Sequence, residues 1–264
     1  MKYTNKVFWL TGASSGIGRA LVCELLNRGA TVIASSNKAD DLEALKKSLR
    51  EKMHLLSTVV FDLAEMSDID SIVAEQVEKH GRIDVLINLG GVSQRSKITE
   101  TPLWLDRKIM EINYFGTIAL SKAVLPYMIT QGSGHIMATS SISERFGFPL
   151  RSAYSASKQA LHGFFETLHI ENKVNNVKAS VIIPGRVKTN ISFNALTATG
   201  EEHGKMDAGQ ARGISPEKAA KMILRGLARN KREVLVGGRE LIMLYIRKFF
   251  PSIFFNFAGR INPH

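Results

Sequence analysis

Tyr154 and Lys158 combine the residue types and the spacing of a proton-transfer pair. They are four residues apart near the start of a predicted helix, so both side chains project from one face of it. A phenol with a pKa of about 10 is a poor acid or base at neutral pH, but a neighbouring ammonium favours the phenolate and lowers that pKa. Ser141, thirteen residues before Tyr154, could hold a carbonyl oxygen beside the phenol. Such a pair also occurs by chance on surface helices, so the prediction of catalysis depends on Ser141 and on the turn described next.

A glycine-rich segment, TGASSGIG at residues 11–18, has the composition of a phosphate-binding turn. Its glycines let the backbone bend sharply and leave N–H groups free to bind a pyrophosphate at a helix N-terminus. The spacing differs from the G-x-G-x-x-G of other dinucleotide folds, and such a turn can also be purely structural. Its place between the first predicted strand and the first predicted helix favours cofactor binding. The residues assigned to this role are Gly12, Ser14, Ser15, Gly16, Ile17 and Gly18.

The end of the second predicted strand indicates which dinucleotide is bound. NAD-binding folds place a carboxylate there to bond the ribose 2′-hydroxyl, and this carboxylate repels a 2′-phosphate. Here the residues are Ser36, Asn37 and Lys38, which offer a hydroxyl, an amide and an ammonium to a phosphate. Lys38 is also compatible with an ordinary solvated loop lysine. The sequence therefore favours NADP(H) and does not exclude NAD(H).

Further cofactor contacts are predicted where the third and fourth strands end. Asp62 and Leu63 follow the third strand, in a position suited to an adenine amino group. Asn88 and Gly90 close the fourth strand, where small residues let a cofactor lie across the strand ends. Two glycines after a strand are more often an ordinary turn, so these assignments depend on the other motifs.

The elements that must position these residues alternate along the chain. Short apolar runs recur between longer amphipathic stretches, which is typical of βα units around a parallel sheet covered on both faces. The sequence therefore predicts an α/β fold, a single-domain Rossmann fold over residues 1–240 with a doubly wound, seven-stranded parallel sheet. The predicted strands span 7–12, 31–35, 55–62, 85–90, 135–141, 178–185 and 233–238, and the predicted helices span 16–28, 40–52, 67–80, 102–131, 152–173 and 215–229.

Residues 190–214 break this alternation. The segment is rich in Gly, Ala and polar residues and has neither the helical nor the strand period. A long loop inside a compact domain is more often an active-site lid than a linker. We therefore predict a lid here.

The formal net charge of +11 raises the question of a polyanionic partner. After residue 200, twelve Lys or Arg residues stand against six Asp or Glu residues, so the charge is concentrated toward the end of the chain. No nucleic-acid readout motif accompanies it, and nucleic-acid binding is not expected. No metal site is expected either.

The start of the chain and its hydropathy predict a cytoplasmic protein. Residues 1–6 lead directly into the first strand, without the apolar region of a signal peptide. Cys23 is the single cysteine, so no internal disulfide can form, which fits a reducing compartment. The sequence has no long uncharged apolar run of the kind that spans a bilayer.

Residues 241–264 form an apolar and basic tail. Aromatic and aliphatic residues alternate there with Arg247, Lys248 and Arg260. Such a segment could lie in a membrane interface with its cations on anionic lipid, or it could pack over the cleft or a partner subunit. The sequence leaves both alternatives open. Pro251 predicts two short helical segments instead of one long helix.

With these motifs in view, residues 6–238 resemble the short-chain dehydrogenases/reductases. TGASSGIG looks like the cofactor turn of that family, NLGG like a variant of its N-N-A-G segment, and YSASK like its Y-x-x-x-K motif. The resemblance implies that Tyr154 is the general acid/base, that Lys158 lowers its pKa and bonds the nicotinamide ribose, and that Ser141 orients the carbonyl. It implies that Asn113 holds a water linking Lys158 to solvent. The segment implied to embrace the nicotinamide carboxamide contributes Pro184, Gly185, Val187 and Thr189.

Two departures from the family pattern affect what the resemblance implies. Leu89 and Gly90 replace the second Asn and the Ala of N-N-A-G, and Asn37 stands where NADP-preferring members often carry Arg. The NLGGVSQRS and INYFGT stretches and the tail look most like the dehydrogenase/reductase member 7 branch. Members of that branch tend to act on lipophilic carbonyls and alcohols such as steroids, retinoids or lipid-derived ketones. The implied activity is hydride transfer between NADP(H) and a small-molecule carbonyl or secondary alcohol.

Two questions stay open at this point. A non-catalytic NADP-binding sensor or scaffold on the same fold is the alternative to an enzyme, although the full set of Asn113, Ser141, Tyr154 and Lys158 favours the enzyme. Homo-oligomers are common in this fold, and the two longest predicted helices could form a symmetric interface. The sequence leaves homodimer and homotetramer open.

Overall fold

Seven parallel strands form the centre of the molecule in a computed structural model that describes residues 3–258. Residues 1, 2 and 259–264, with Arg260 of the predicted tail, lie outside the described residues. The strand order is β3-β2-β1-β4-β5-β6-β7. The strands are β1 (Val7–Leu10), β2 (Thr31–Ser36), β3 (Leu56–Val60), β4 (Val85–Asn88), β5 (Gly134–Thr139), β6 (Val177–Pro184) and β7 (Glu233–Val236).

Helices connect these strands. Short 3-10 segments at Arg50–Leu55, Ile142–Glu144 and Arg239–Leu241 and one π turn at Glu111–Phe115 complete the described structure. The α-helices are α1 (Gly16–Asn27), α2 (Ala39–Ser48), α3 (Ile69–His80), α4 (Leu103–Met110), α5 (Gly116–Thr130), α6 (Ser152–Glu171), α7 (Ala208–Ala211), α8 (Pro216–Ala228), α9 (Ile242–Phe249) and α10 (Pro251–Ala258).

Apolar side chains cover both faces of the sheet, which explains why its strands are almost continuously hydrophobic. On one face Leu21 and Leu25 of α1 and Ile223 of α8 are buried in one core. On the other face Val124 of α5 and Phe165 of α6 are buried in a second core. The prediction of a doubly wound, seven-stranded parallel sheet is confirmed, and every predicted strand is present with its ends shifted by at most two residues.

The strand order reverses beside β1, which pairs with β2 on one side and with β4 on the other. In open α/β sheets this reversal opens a crevice at the carboxyl ends of the strands, where ligands bind. The glycine-rich turn after β1 and the segments after β4, β5 and β6 all reach this edge. The topology thus brings together motifs that are far apart in the sequence.

The long helix predicted over 102–131 is interrupted. Helices α4 and α5 are separated by the π turn at Glu111–Phe115, which carries Asn113. A π turn holds one extra residue per turn and is found mainly at functional sites. The helix predicted over 40–52 also ends early, at Ser48, and continues as the 3-10 segment.

The segment 190–214 is a loop, as predicted, but it is held by specific contacts. The Leu196 carbonyl accepts a hydrogen bond from the Arg95 N–H at 2.8 Å, and Leu196 forms an isolated bridge with Gln94. Helix α7 lies inside it. The loop is therefore fixed against the segment that follows β4.

Pro251 separates α9 from α10, as the sequence predicts. Phe254 of α10 is buried and lies 4.7 Å, between ring centroids, from the buried ring of Phe146. Other apolar side chains of the two helices, among them Tyr245 and Phe249, are exposed. No helix in the described part of the chain has the length and apolarity needed to cross a bilayer.

Candidate active site

Tyr154 and Lys158 lie on the first turns of α6, with Ser141 opposite them after β5. The Ser141 side chain lies close enough to the phenol of Tyr154 to lower its pKa, and its hydroxyl donates to the Ser143 hydroxyl at 3.3 Å. Lys158 is 4% exposed, its ammonium donates a hydrogen bond to the Thr139 carbonyl at 2.8 Å, and Nζ lies 5.8 Å from the centre of the Tyr154 ring. The three side chains therefore meet at one place in the cleft.

Burial sets the pKa values of this pair. It raises the pKa of Tyr154 above its usual value, although the Ser141 side chain and the positive charges of Arg151 and Arg95 act in the opposite direction. It lowers the pKa of Lys158 to about 8. The expected net lowering of the Tyr154 pKa by Lys158 is therefore wrong for the described structure, because the loss of hydration outweighs the nearby cations. At neutral pH the phenol is protonated and suited to donate a proton.

Asn113 is fully buried on the π turn and does not line the cleft. Its amide bonds both backbone groups of Val92, accepting from the N–H at 2.8 Å and donating to the carbonyl at 2.9 Å. It also donates to the Ser157 hydroxyl at 3.0 Å. A β-carbon added at Gly91 would lie 2.8 Å from Asn113 Oδ1 and 3.3 Å from Lys158 Nζ. Asn113 is thus near the lysine and fixes the backbone beside it.

The glycine-rich turn has the shape and the free donors that a dinucleotide needs. A β-carbon at Gly12 would come within 2.9 Å of the Gly90 backbone nitrogen, so no larger residue fits there. Ser15 precedes α1 without capping it, and the first turn of the helix contains no acidic residue. The N–H groups and the helix dipole are therefore available to an anion. This segment lines the cleft at Gly12, Ser14, Ser15, Gly16, Ile17 and Gly18.

The end of β2 also reaches the cleft, at Ser36, Asn37 and Lys38. The Ser36 hydroxyl accepts hydrogen bonds from the Ser14 hydroxyl at 3.1 Å and from the Lys38 N–H at 3.2 Å. Asn37 donates to Asp62 at 3.1 Å, and the other oxygen of that carboxylate accepts from the Ala64 N–H. The carboxylate of Asp62, which follows β3, therefore comes close to the end of β2, a proximity that the sequence of β2 does not reveal.

One predicted cofactor contact has its side chain away from the cleft lining. Asn88 is 2% exposed and does not line the cleft. Its side chain donates to the Ser121 hydroxyl at 3.1 Å and to the Met137 carbonyl at 3.3 Å. The last residue of β4 points between strand and helix, because side chains alternate along a strand. The other predicted residues line the cleft: Asp62, Leu63, Gly90, Pro184, Gly185, Val187 and Thr189.

Gln94 is a buried residue of the site that the sequence analysis did not identify. Its Oε1 accepts a hydrogen bond from the Ala153 N–H at 2.9 Å, at the first turn of α6. Its Nε2 donates to the hydroxyls of Ser96 and Thr101, both at 3.1 Å. Gln94 thus caps the helix that carries Tyr154, a role normally filled by a residue just before the helix.

A cluster of two arginines and one aspartate was also not predicted from the sequence. Arg95 and Arg151 both bond the carboxylate of Asp207, which lies at the start of α7. All three residues line the same cleft, whose volume is about 840 Å³. They come from three separate segments, so no local motif could have revealed them.

Comparison with known proteins agrees with this geometry. The family model described as short chain dehydrogenase matches residues 6–199. The chain belongs to this family. It is 38% identical over 255 residues, 95% of this chain and 78% of the other, to "Dehydrogenase/reductase SDR family protein 7-like" of Drosophila melanogaster. It is 40% identical over 256 residues, 95% of this chain and 79% of the other, to "Dehydrogenase/reductase SDR family member 7B" of Mus musculus.

Solved structures show the same fold. A short-chain dehydrogenase from Streptomyces avermitilis matches with a TM-score of 0.81 and 28% identity over 96% of each chain. A family member from Burkholderia phymatum, solved in complex with NAD, matches with a TM-score of 0.85 over 100% of this chain and 98% of the other. The latter is 20% identical and shows the fold alone. The predicted membership of an oxidoreductase family, and its likeness to the member 7 branch, are confirmed.

Proposed function

We propose that the protein transfers hydride between NADP(H) and a carbonyl or secondary alcohol, with Tyr154 as the general acid/base. The observation that carries this proposal is the meeting of Ser141, Tyr154 and Lys158 in the cleft that begins at the glycine-rich turn. A non-catalytic sensor would need the turn but not these three side chains. The bound cofactor would supply the hydride.

In the direction of reduction, the chain's own residues handle the substrate oxygen and its proton. The hydroxyl of Ser141 holds the carbonyl oxygen beside the phenol of Tyr154, whose pKa it already influences. Tyr154 donates its proton to that oxygen as negative charge develops there. The positive charges of Arg151 and Arg95 stabilise the phenolate that is left, and the Lys158 ammonium lies 5.8 Å from the centre of its ring. Asn113 keeps the Val92 segment, and so this side of the cleft, in place.

The test is the substitution Tyr154→Phe, which removes only the phenolic oxygen. The rate of NADPH oxidation with a lipophilic ketone such as 2-undecanone should fall by about a hundredfold to ten-thousandfold. NADPH binding, followed by fluorescence titration, should change little. Tyr127→Phe is the matched control, because Tyr127 is an exposed residue of α5 outside the cleft. Turnover retained by Tyr154→Phe would contradict the assigned role.

The preference for NADP(H) is supported by the end of β2, where Lys38 supplies a cation and Ser36 a hydroxyl to the cleft. Both oxygens of the nearby Asp62 carboxylate are already hydrogen-bonded within the protein. We expect a lower KM for NADPH than for NADH. Lys38→Glu should reverse this order, because a carboxylate repels the 2′-phosphate. Equal use of both cofactors by the unsubstituted protein would contradict the preference.

We propose a lipophilic substrate, since Ile142, Phe148, Phe193 and Leu196 line the same cleft as Tyr154.

The tail supports contact with a membrane surface: Tyr245, Phe249 and Phe255 are exposed beside Arg247 and Lys248. The protein should sediment with vesicles that contain anionic lipid at low salt. Full recovery in the supernatant would refute this contact.

We also propose a homo-oligomer, either a dimer or a tetramer. Leu103 and Trp104 of α4 and Phe115 of the π turn expose apolar surface that a second copy of the chain would cover. Light scattering of the purified protein measures the state directly. A monomer at micromolar concentration would contradict this proposal.

A further inference from the structure

Arg95 and Arg151 lie in the wall of the cleft that contains Tyr154. Arg95 bonds Asp207 through Nη2 and through Nε, the latter at 3.3 Å, and Arg151 Nη2 donates to the same carboxylate at 2.7 Å. The side chains of Arg95, Asp207 and Arg151 are 3%, 9% and 15% exposed. Because two cations share one anion, the cluster keeps one net positive charge in a place with little water.

The two arginines differ in the donors that they leave free. Arg95 also donates through Nη1 to the Ser93 hydroxyl and the Gln94 carbonyl, so each nitrogen of its guanidinium makes a hydrogen bond. Among the described residues, the Arg151 guanidinium donates only to Asp207, and it lies 4.7 Å from the centre of the Phe148 ring. Its side chain is 15% exposed and lines the cleft, which leaves Nε and Nη1 able to bind a ligand. Arg151 therefore presents donors to the cleft.

Burial raises the free energy of the charged Arg151 guanidinium. Loss of hydration and the neighbouring Arg95 lower the pKa of Arg151 to about 10. A second anion would relieve that cost, and a guanidinium forms its strongest contacts with planar carboxylates and with phosphates. Phe148 beside the guanidinium offers an apolar surface to the rest of such a ligand.

We propose that Arg151, positioned by Asp207 and backed by Arg95, binds an anionic group of the substrate. The substrate class is then an amphiphilic carbonyl compound that carries a carboxylate or a phosphate in the same molecule as the reacting ketone. The identity of the reacting group rests on the function proposed above, whereas the binding of an anion by Arg151 does not.

The test compares the binding of matched anionic and neutral ketones, so it does not depend on turnover. Tyr154→Phe protein with NADP⁺ is titrated calorimetrically with 3-oxooctanoate and its methyl ester, and with hydroxyacetone phosphate and hydroxyacetone. The anion of at least one pair should bind about tenfold or more tightly than its neutral partner, because hydrogen bonds to charged groups are roughly twice as strong as neutral ones. The two pairs distinguish a carboxylate from a phosphate.

Variants then assign the effect to Arg151. Adding Arg151→Gln should abolish the preference for the anion and leave binding of the neutral partner unchanged. Arg151→Lys, which keeps the charge and the pair with Asp207, guards against a folding failure and should bind the anion with intermediate affinity. Lys97→Gln is the matched control, because this exposed lysine pairs with Glu100 outside the cleft.

Two outcomes would overturn the inference. One is equal affinity for the anionic and neutral members of both pairs. The other is a preference that survives in both Arg151 variants, in which case the arginines serve only to anchor Asp207 and its loop. Turnover by the protein with Tyr154 intact separates the two proposals: reduction of the ester without any preference for the acid refutes only the anion site. Preferential binding of the acid without reduction of either ketone refutes only the proposed activity.

Discussion

The side-chain oxygen of Gln94 accepts a hydrogen bond from the backbone N–H of Ala153 at 2.9 Å, which joins the segment after β4 to the first turn of α6. Helix α6 carries both Tyr154 and Lys158, so this contact sets the position of the helix relative to the cleft. It replaces a local cap, since Arg151 at the N-cap position makes no side-chain cap bond. The geometry of the proposed acid/base therefore depends on a residue 60 positions away in the sequence.

Gln94→Ala should weaken both stability and catalysis. The variant loses the cap and leaves the hydroxyls of Ser96 and Thr101 without this donor, so the free energy of unfolding should fall by about 2 kcal/mol. Displacement of Tyr154 should lower kcat by about tenfold or more. Urea denaturation and steady-state kinetics measure the two effects. Gln131→Ala is the control: it loses bonds to two carbonyls away from the cleft and should lower stability without a comparable loss of kcat.

Lys158→Met should make the protein more stable while it abolishes turnover. Because the pKa of Lys158 is lowered from 10.5 to about 8, the buried ammonium opposes folding by about 3 kcal/mol at pH 7. The methionine leaves the Thr139 carbonyl without its donor, which costs about 1 kcal/mol, so the net gain should be about 2 kcal/mol. The cost of the buried ammonium is largest below pH 8, where Lys158 is protonated in both the folded and the unfolded protein. It disappears as the pH rises through 10.5, because Lys158 is then neutral in both states. Urea denaturation of the variant and the unsubstituted protein at pH 7 and at pH 10.5 measures the difference. A variant that is less stable than the unsubstituted protein at pH 7 would contradict this prediction.

Glu144→Gln should shift the pH dependence of ketone reduction. The negative charge of buried Glu144 raises the pKa of Lys158, which burial lowers to about 8. Without that charge, Lys158 should lose its proton at lower pH, and the alkaline limb of the kcat profile should move to lower pH. The limb belongs to Lys158, because the pKa of Tyr154 is raised above its usual value. Glu166→Gln, an exposed carboxylate near His162, should leave the limb in place; an unmoved limb in Glu144→Gln would contradict this coupling.

The sequence predicts features that repeat with a short period. Strand positions follow from apolar runs, and Tyr154 and Lys158 share a helix face because they are four residues apart. The sequence also predicts at which edge of the sheet the site lies, because the carboxyl ends of parallel strands meet at one edge. These rules place Ser141 and the glycine-rich turn beside the tyrosine without any knowledge of tertiary contacts.

Contacts between distant loops leave no such periodic pattern in the sequence. Arg95 and Asp207 are 112 residues apart, and nothing in either segment indicates their pairing. The π turn at Glu111–Phe115 is stabilised by Asn113 bonding Val92, a tertiary contact that overrides the helical pattern of 102–131. The upward shift of the Tyr154 pKa likewise depends on burial, which residue spacing does not reveal.

Asp207→Asn should destabilise the protein and loosen the loop of residues 190–214. The substitution leaves two largely buried guanidinium groups without their shared anion, and removing one partner from a buried ion pair costs about 3–5 kcal/mol. Urea denaturation measures this loss. Hydrogen exchange of the loop amides should accelerate as well, because Asp207 joins this loop to Arg95 after β4. Glu100→Gln is the matched control, since it breaks an exposed pair with Lys97 and should cost at most about 1 kcal/mol. Equal stability of the two variants would mean that water satisfies the arginines, and that Asp207 does not hold the loop.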